Sequence, residues 1–263
     1  MVPDARGHGR TRWDAGQGFR YDWLVDDLAA FVDALGLATF HLLGFSMGAM
    51  TALQYAVTRS DRLRTLVIVG ITTQREPRLS VLRRLTDPER VDREDPAWAR
   101  ELAARHDAGQ GEGAWRRLLP AIAADVAVQP LLTPGELRRI APPALVTVGD
   151  RDPFVPVDHA WGISRQLADG RLFVVPGCGH EVTARRPGLF NEALAGFYRS
   201  TEAVARERAE ANSSSAAPGP IARPVARPVD RPIDNPLASD ARGSDAAEPD
   251  GAPAGEADPE PAR

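Results

Sequence analysis

The chain has 263 residues, 43% of them hydrophobic and 26% charged, with a formal net charge of −4. This is the balance of a globular protein of one large or two small domains, and it offers no basic face to a nucleic acid. All 32 basic residues are arginine, so Schiff-base lysines, a pyridoxal phosphate anchor and a phosphate-loop lysine are excluded.

One cysteine, Cys178, forbids an intrachain disulfide and argues against a thiolate metal cluster. No metal and no organic cofactor is expected. No run reaches the ~20 apolar residues of a membrane span, and MVPDARGHGR has no apolar signal core. The expectation is a cytoplasmic protein with no membrane partner. The Arg-, Ala-, Gly- and Pro-rich, lysine-free composition suggests a GC-rich bacterial genome.

From the N-terminus, a glycine-rich opening loop leads to Tyr21–Leu35. There Leu24, Leu28, Phe31, Val32 and Leu35 recur on one face at 3.6 residues per turn, which predicts an amphipathic helix. Asp26, Asp27 and Asp33 mark its wet side, and Gly36 ends it. Phe40–Phe45 reads as a short buried strand, Met47–Val57 as a helix, and Leu66–Ile71 as a buried parallel strand. Residues 72–141 lack strand patterning and read as short helices, broken at Pro88, Pro96 and Gly109–Gly113. The last of them starts at Thr133-Pro134-Gly135-Glu136 with a capping box. Ala144–Val148 and Leu172–Val175 are again strands, with helices at Val157–Leu167 and Pro187–Tyr198. Strands alternating with helices predict an α/β protein with an open, mostly parallel sheet.

The expected organisation is therefore a core in two parts, 1–71 and 142–200, with a helical cap inserted at 72–141. A tail at 201–263 completes it. The tail carries the near-repeat ARPV, ARPV, DRPI, DNPL and too little apolar surface to offset its chain entropy, so it is expected to be disordered. A proline-motif docking segment is the alternative.

Gly44-Phe45-Ser46-Met47-Gly48 matches G-x-S-x-G between an apolar strand and a small-residue helix. Such a turn presents Ser46 above the sheet, and both glycines are expected to remove clashing Cβ atoms. A serine hydroxyl needs a neighbouring base. Of the histidines at 8, 41, 106, 159 and 180, His180 lies in the loop after the last strand, at the same carboxyl rim as Ser46. Asp150 and Asp152 follow the preceding strand and both qualify to orient the imidazole. Asp152, further into the loop, is preferred, with Asp150 supporting the turn or pairing with Arg151.

These segments resemble the α/β-hydrolase superfamily. Asp4-Ala5-Arg6-Gly7-His8-Gly9-Arg10 is similar to its D-x-R-G-x-G loop, Gly44–Gly48 to its nucleophile elbow, Gly149–Pro156 to its acid loop, and Gly177–His180 to its G-x-G-H loop. Within it the chain resembles small bacterial esterases, enol-lactonases and cofactor-free haloperoxidase-like enzymes; serine at 46 disfavours the relatives with an aspartate nucleophile. The resemblance covers residues 1 to about 200 and implies an α/β-hydrolase fold.

In the family, three strands and most of a fourth precede the D-x-R-G-x-G loop, together with a His-Gly segment that supplies one oxyanion N–H. The second oxyanion donor would be the N–H of Met47. With those strands absent from the 263 residues, through a late-assigned start or a shortened gene, the chain is expected to fold poorly and to have little or no activity. Its strand at Phe40–Phe45 becomes an exposed edge.

The implied activity is hydrolysis of a carboxylic ester or lactone, a small-molecule substrate, through an acyl-enzyme on Ser46. His180 is the base and Asp152 orients it. C–C bond hydrolysis or perhydrolysis on the same residues is an alternative, as is a non-catalytic, hydrolase-derived interaction protein. Trp98, Trp115 and Met50 are candidates to line the substrate pocket, with packing as the alternative for each. Cys178 is expected to be a packed thiol that lies near the site.

Overall fold

Four short apolar segments pair in parallel in the computed structural model, which describes residues 1–215. They are β1 (Phe40–Phe45), β2 (Leu63–Val69), β3 (Ala144–Gly149) and β4 (Gly170–Val175), in the spatial order β1-β2-β3-β4. The register runs Leu42↔Leu66, Leu66↔Ala144 and Ala144↔Gly170. Parallel neighbours need crossovers, and helices supply them: α1 (Tyr21–Ala34) precedes β1, α2 (Met47–Thr58) joins β1 to β2, and α8 (Val157–Gln166) joins β3 to β4. Between β2 and β3 run α3 (Arg78–Leu85), α4 (Pro88–Glu94), α5 (Pro96–Gln110), α6 (Ala114–Val128) and α7 (Pro134–Arg138). After β4 come α9 (Val182–Arg185) and α10 (Pro187–Ser215).

Alternation along the strands sorts the core into two faces. Leu66, Ile68, Ala144, Val146 and Val148 pack with Leu24, Val32, Leu53 and Ile163 on the side of α1, α2 and α8. Val67, Val69, Leu145 and Val175 pack with Phe190 and Phe197 of α10 on the other. A third cluster, Val91, Ala99, Leu102 and Trp115, holds the α4–α6 helices together.

Several elements depart from the sequence reading. α1 turns Leu35 outward (41% exposed) and buries Tyr21, Val25 and Ala29 with Leu24 and Val32. Asp27 is not simply wet, because Arg6 makes two hydrogen bonds to its carboxylate at 2.6 and 2.5 Å. Gly36 does end α1, at φ 65, with Leu37 N–H donating back to Val32 O. The break expected over Gly109–Gly113 falls at 111–113, since α5 runs through Gly109 to Gln110 and α6 starts at Ala114; a Cβ at 109 would lie 2.3 Å from Gly9 O, so that glycine serves close packing. β1 is half exposed, not buried, since it forms one edge of the sheet among the described residues.

α10 continues past Tyr198 because Thr201 is buried and Glu202 pairs with Arg64 of β2. Helix therefore extends well into the segment read as tail. The expected disorder of the proline repeat lies outside the described residues. No helix among the described residues is long and apolar enough to cross a membrane.

Candidate active site

The carboxyl ends of the four strands form one rim, where a parallel sheet places ligands and reacting groups. The hydrogen-bond ladder continues past the strand ends and ties the loops to one another. Ser46 N–H donates to Val69 O (2.8 Å), Gly70 N–H to Thr147 O (2.9 Å), and Asp150 N–H to Val175 O (3.1 Å). Three loops that are distant in sequence are thereby fixed side by side.

Ser46 sits at φ 50, ψ −113, the one non-glycine residue with positive φ among those described. Such a conformation is strained by about 1–3 kcal/mol and persists because its surroundings enforce it. The turn is closed tightly enough that a Cβ at Gly44 would lie 2.2 Å from Gly48 O, whereas a Cβ at Gly48 would meet nothing within 4 Å. The expectation that both glycines relieve a clash thus holds for Gly44 alone. Met47 is the first residue of α2, so its N–H has no intrahelical acceptor and stands at the positive end of the helix dipole.

His180 Nε2 lies 2.9 Å from Ser46 Oγ, and its Nδ1 lies 2.9 Å from Asp152 Oδ2. The Asp152 side chain is fully buried and that of His180 is 15% exposed. Asp152 Oδ1 accepts the N–H groups of Phe154 and Val155 at 2.8 and 3.2 Å, so one oxygen is held by backbone and the other faces the imidazole. Asp150 accepts the Cys178 N–H at 3.1 Å and lies 3.8 Å from Arg151 Nε; it braces the two loops instead of reaching the histidine. Cys178 is buried against Val175 and Val182.

Other contacts to the imidazole had no signal in the sequence. Phe154 and Phe45 flank the His180 ring at centroid distances of 4.4 and 5.0 Å. Gly70, at φ 64, brings its backbone against the ring edge, where an added Cβ would lie 3.0 Å from Cε1 and 3.1 Å from Nδ1. A Cβ at Gly149 would lie 2.2 Å from Cys178 O; its absence lets the histidine loop cross the aspartate loop. The G-D-R-D spacing hints at Gly149, but nothing local points to Gly70, which acts on a residue 110 positions away.

The other expected site residues are placed differently. Met50 is fully buried in the main core and Trp115 is 2% exposed in the α4–α6 cluster, with Arg116 over its ring. Trp98 packs against the same cluster with Arg105 over its ring. Met50 and Trp115 are buried in packing contacts, and Trp98 is half-buried against the α4–α6 cluster. A separate cleft of about 930 Å³ opens between the start of α1, the end of α2 and the α6–α7 connection, beside Asp22, Asp26, Asp125 and Glu136. Ser46, Asp152 and His180 do not line it. Among the described residues no three His, Cys, Asp or Glu side chains gather as a metal centre.

A parallel sheet flanked by helices, with Ser-His-Asp at the carboxyl rim in the chain order Ser, Asp, His, defines a class of hydrolases. The chain belongs to the α/β hydrolase family, whose model matches residues 1–193. It is 28% identical over 217 residues to RutD of Caulobacter vibrioides, which carries the name of a carbamate hydrolase; the match spans 74% of this chain and 78% of RutD. Among solved structures it is similar to NosK from Streptomyces actuosus, with 30% identity and a TM-score of 0.61 over 76% of this chain and 85% of NosK. It is also similar to Est816, described as an N-acyl homoserine lactone degrading enzyme, with 26% identity and a TM-score of 0.59 over 74% of this chain and 80% of Est816.

Proposed function

We propose that the protein hydrolyses a carboxylic ester or lactone through an acyl-enzyme on Ser46. The observation that supports this most is the pair of 2.9 Å contacts that places one imidazole between Ser46 Oγ and Asp152. His180 removes the Ser46 proton as Oγ adds to the carbonyl carbon. The Asp152 carboxylate fixes the ring orientation and stabilises the imidazolium. The Met47 N–H at the head of α2 donates to the developing oxyanion. Collapse of the tetrahedral adduct passes the proton from His180 to the leaving oxygen, which in a lactone stays attached to the acyl group. Water, deprotonated by the same histidine, then releases the acid and regenerates the serine.

The names of the relatives agree with acyl transfer of this kind, a lactone for one and a carbamate for another. The segment between β2 and β3 acts in this reading as the cap that sets specificity.

A fluorophosphonate probe tests the reading directly. Stoichiometric labelling at Ser46, lost in Ser46→Ala, is expected, and a folded sample that does not label would overturn it. A panel of ester, lactone, carbamate and vinylogous diketone substrates, followed in single turnover, separates acyl hydrolysis from C–C cleavage. A burst of leaving group with the ester marks the acyl-enzyme.

A further inference from the structure

In the resting site both ring nitrogens of His180 are held, Nε2 by Ser46 Oγ and Nδ1 by Asp152 Oδ2, each at 2.9 Å. Only the second contact can persist in the proposed acyl-enzyme. Esterified Oγ carries no proton, and Nε2, having passed its own to the leaving group, is a bare lone pair. Two acceptors cannot bond to each other. The imidazole is then left with one hydrogen bond, which fixes one ring atom and lets the ring pivot about it. Yet the same ring must next aim Nε2 at a water, where a misplacement of about 1 Å costs about 100-fold in rate.

The ring is walled in by groups that acylation does not touch. Phe154 and Phe45 meet it at centroid distances of 4.4 and 5.0 Å, with the planes tilted by 41° and 44°. These are contact distances for aromatic rings. The two walls are anchored separately. Phe154 packs against the core cluster of Val146 and Val148, and Phe45 against that of Val67, Val69 and Phe190 on the other face of the sheet. The Gly70 backbone adds a third contact, since a Cβ there would lie 3.0 Å from His180 Cε1 and 3.5 Å from Phe45 Cε2. Phe154 also donates its N–H to Asp152 Oδ1 at 2.8 Å, so one residue touches both the base and the acid that orients it.

We infer that Phe154 and Phe45 are positioning residues for deacylation: they keep the imidazole in line after Ser46 has released it. This rests on the acyl-enzyme reading above and goes beyond it. In that step Nε2 takes a proton from water as the water oxygen adds to the acyl carbon. The bond from that carbon to Ser46 Oγ then breaks, Oγ takes the proton from Nε2, and the acid departs. The Ser46 hydrogen bond aligns the ring during acylation with or without the walls. During deacylation only Asp152 and the walls do so.

Pre-steady-state release of 4-nitrophenolate from 4-nitrophenyl acetate reads the two steps separately, the burst for acylation and the linear phase for deacylation. Phe154→Ala keeps the backbone N–H to Asp152 and removes the ring. It is expected to slow deacylation by about 10–100-fold and acylation by less than about threefold. Acetylated protein should accumulate in the intact mass spectrum of samples quenched in the linear phase. Phe154→Tyr keeps the wall and should retain the wild-type ratio of the two rates. A purely structural phenylalanine would lower the burst amplitude, which counts folded sites, and leave both rate constants alone. Equal slowing of both steps, or no slowing of either, would overturn the inference.

If Phe154→Ala does not fold, Phe154→Leu and Phe45→Leu carry the test. Each keeps bulk, loses the flat ring and should shift the ratio in the same direction by at least about threefold; an unchanged ratio in both sinks the inference. Labelling of wild-type Ser46 by the fluorophosphonate is read in parallel. Labelling with an unchanged ratio in the variants sinks this inference alone, whereas absent labelling sinks the hydrolase reading.

Discussion

At the scale of single residues, the site depends on where a Cβ is forbidden. Gly44 and Gly48 look equivalent in the motif, but only position 44 faces a backbone atom at 2.2 Å. Gly44→Ala is therefore expected to open the turn and abolish Ser46 labelling. Gly48→Ala should fold with an unchanged or higher melting temperature, since alanine is the better helix former by about 1 kcal/mol. Gly70→Ala would push the imidazole from between Ser46 and Asp152. A displacement of that size is expected to cost about 10–100-fold in kcat with KM little changed, measured beside a circular dichroism melt that reports the fold. Asp152→Asn keeps the shape but reverses one hydrogen-bonding role, and kcat should fall by about 10³–10⁴. Ser46, Asp152 and His180 were legible from residue type and loop position. Gly70, Phe45 and Phe154 were not, because their roles exist only relative to a ring brought in from elsewhere in the chain.

At the scale of elements, the opening loop is clipped to α5. Gly9 N–H donates to His106 Nδ1 at 3.2 Å, and the His8 and His106 rings meet edge to face at 5.3 Å. Trp13 N–H reaches Gln110 Oε1 on the same helix. The Gly9 bond requires a lone pair on Nδ1, so it exists only while His106 is neutral. Desolvation lowers both histidines from their ordinary value; at His106 the neighbouring His8 and Arg105 add to this, while Asp107 and Asp4 oppose it. A depressed folded-state value means that folding favours the neutral form. This contribution is complete above about pH 6.5, the unfolded value, and is lost as the pH falls through the lower folded value. Melting temperature followed from about pH 8 to pH 5 should fall more steeply for the wild type than for His106→Gln; parallel curves would exclude the clip as the acid-sensitive element. The length of α10 was likewise beyond local reading. Composition suggested a stop near residue 200, but the burial of Thr201 and the Glu202–Arg64 pair carry the helix onward.

At the scale of the whole molecule, the four-stranded sheet brings residues 46, 152 and 180 to one rim and, among the described residues, leaves β1 at an edge, with Leu43 41% exposed. An apolar edge strand with unpaired backbone groups is a template for strand pairing with another copy. A protein consisting of these 263 residues is expected to associate with rising concentration. Leu43→Lys should reduce that association, read by light scattering across a concentration series.

The sequence by itself determined the strand–helix alternation, the order of serine, aspartate and histidine, and the loops that carry them. Hydrophobic period and turn chemistry are local properties, and each of these is written within a dozen residues. The tertiary structure alone decided which glycines matter and which aromatic rings flank the imidazole. Those outcomes depend on distances between segments far apart in the chain, set by the register of a parallel sheet and the close packing of its crossovers, and no local pattern encodes them.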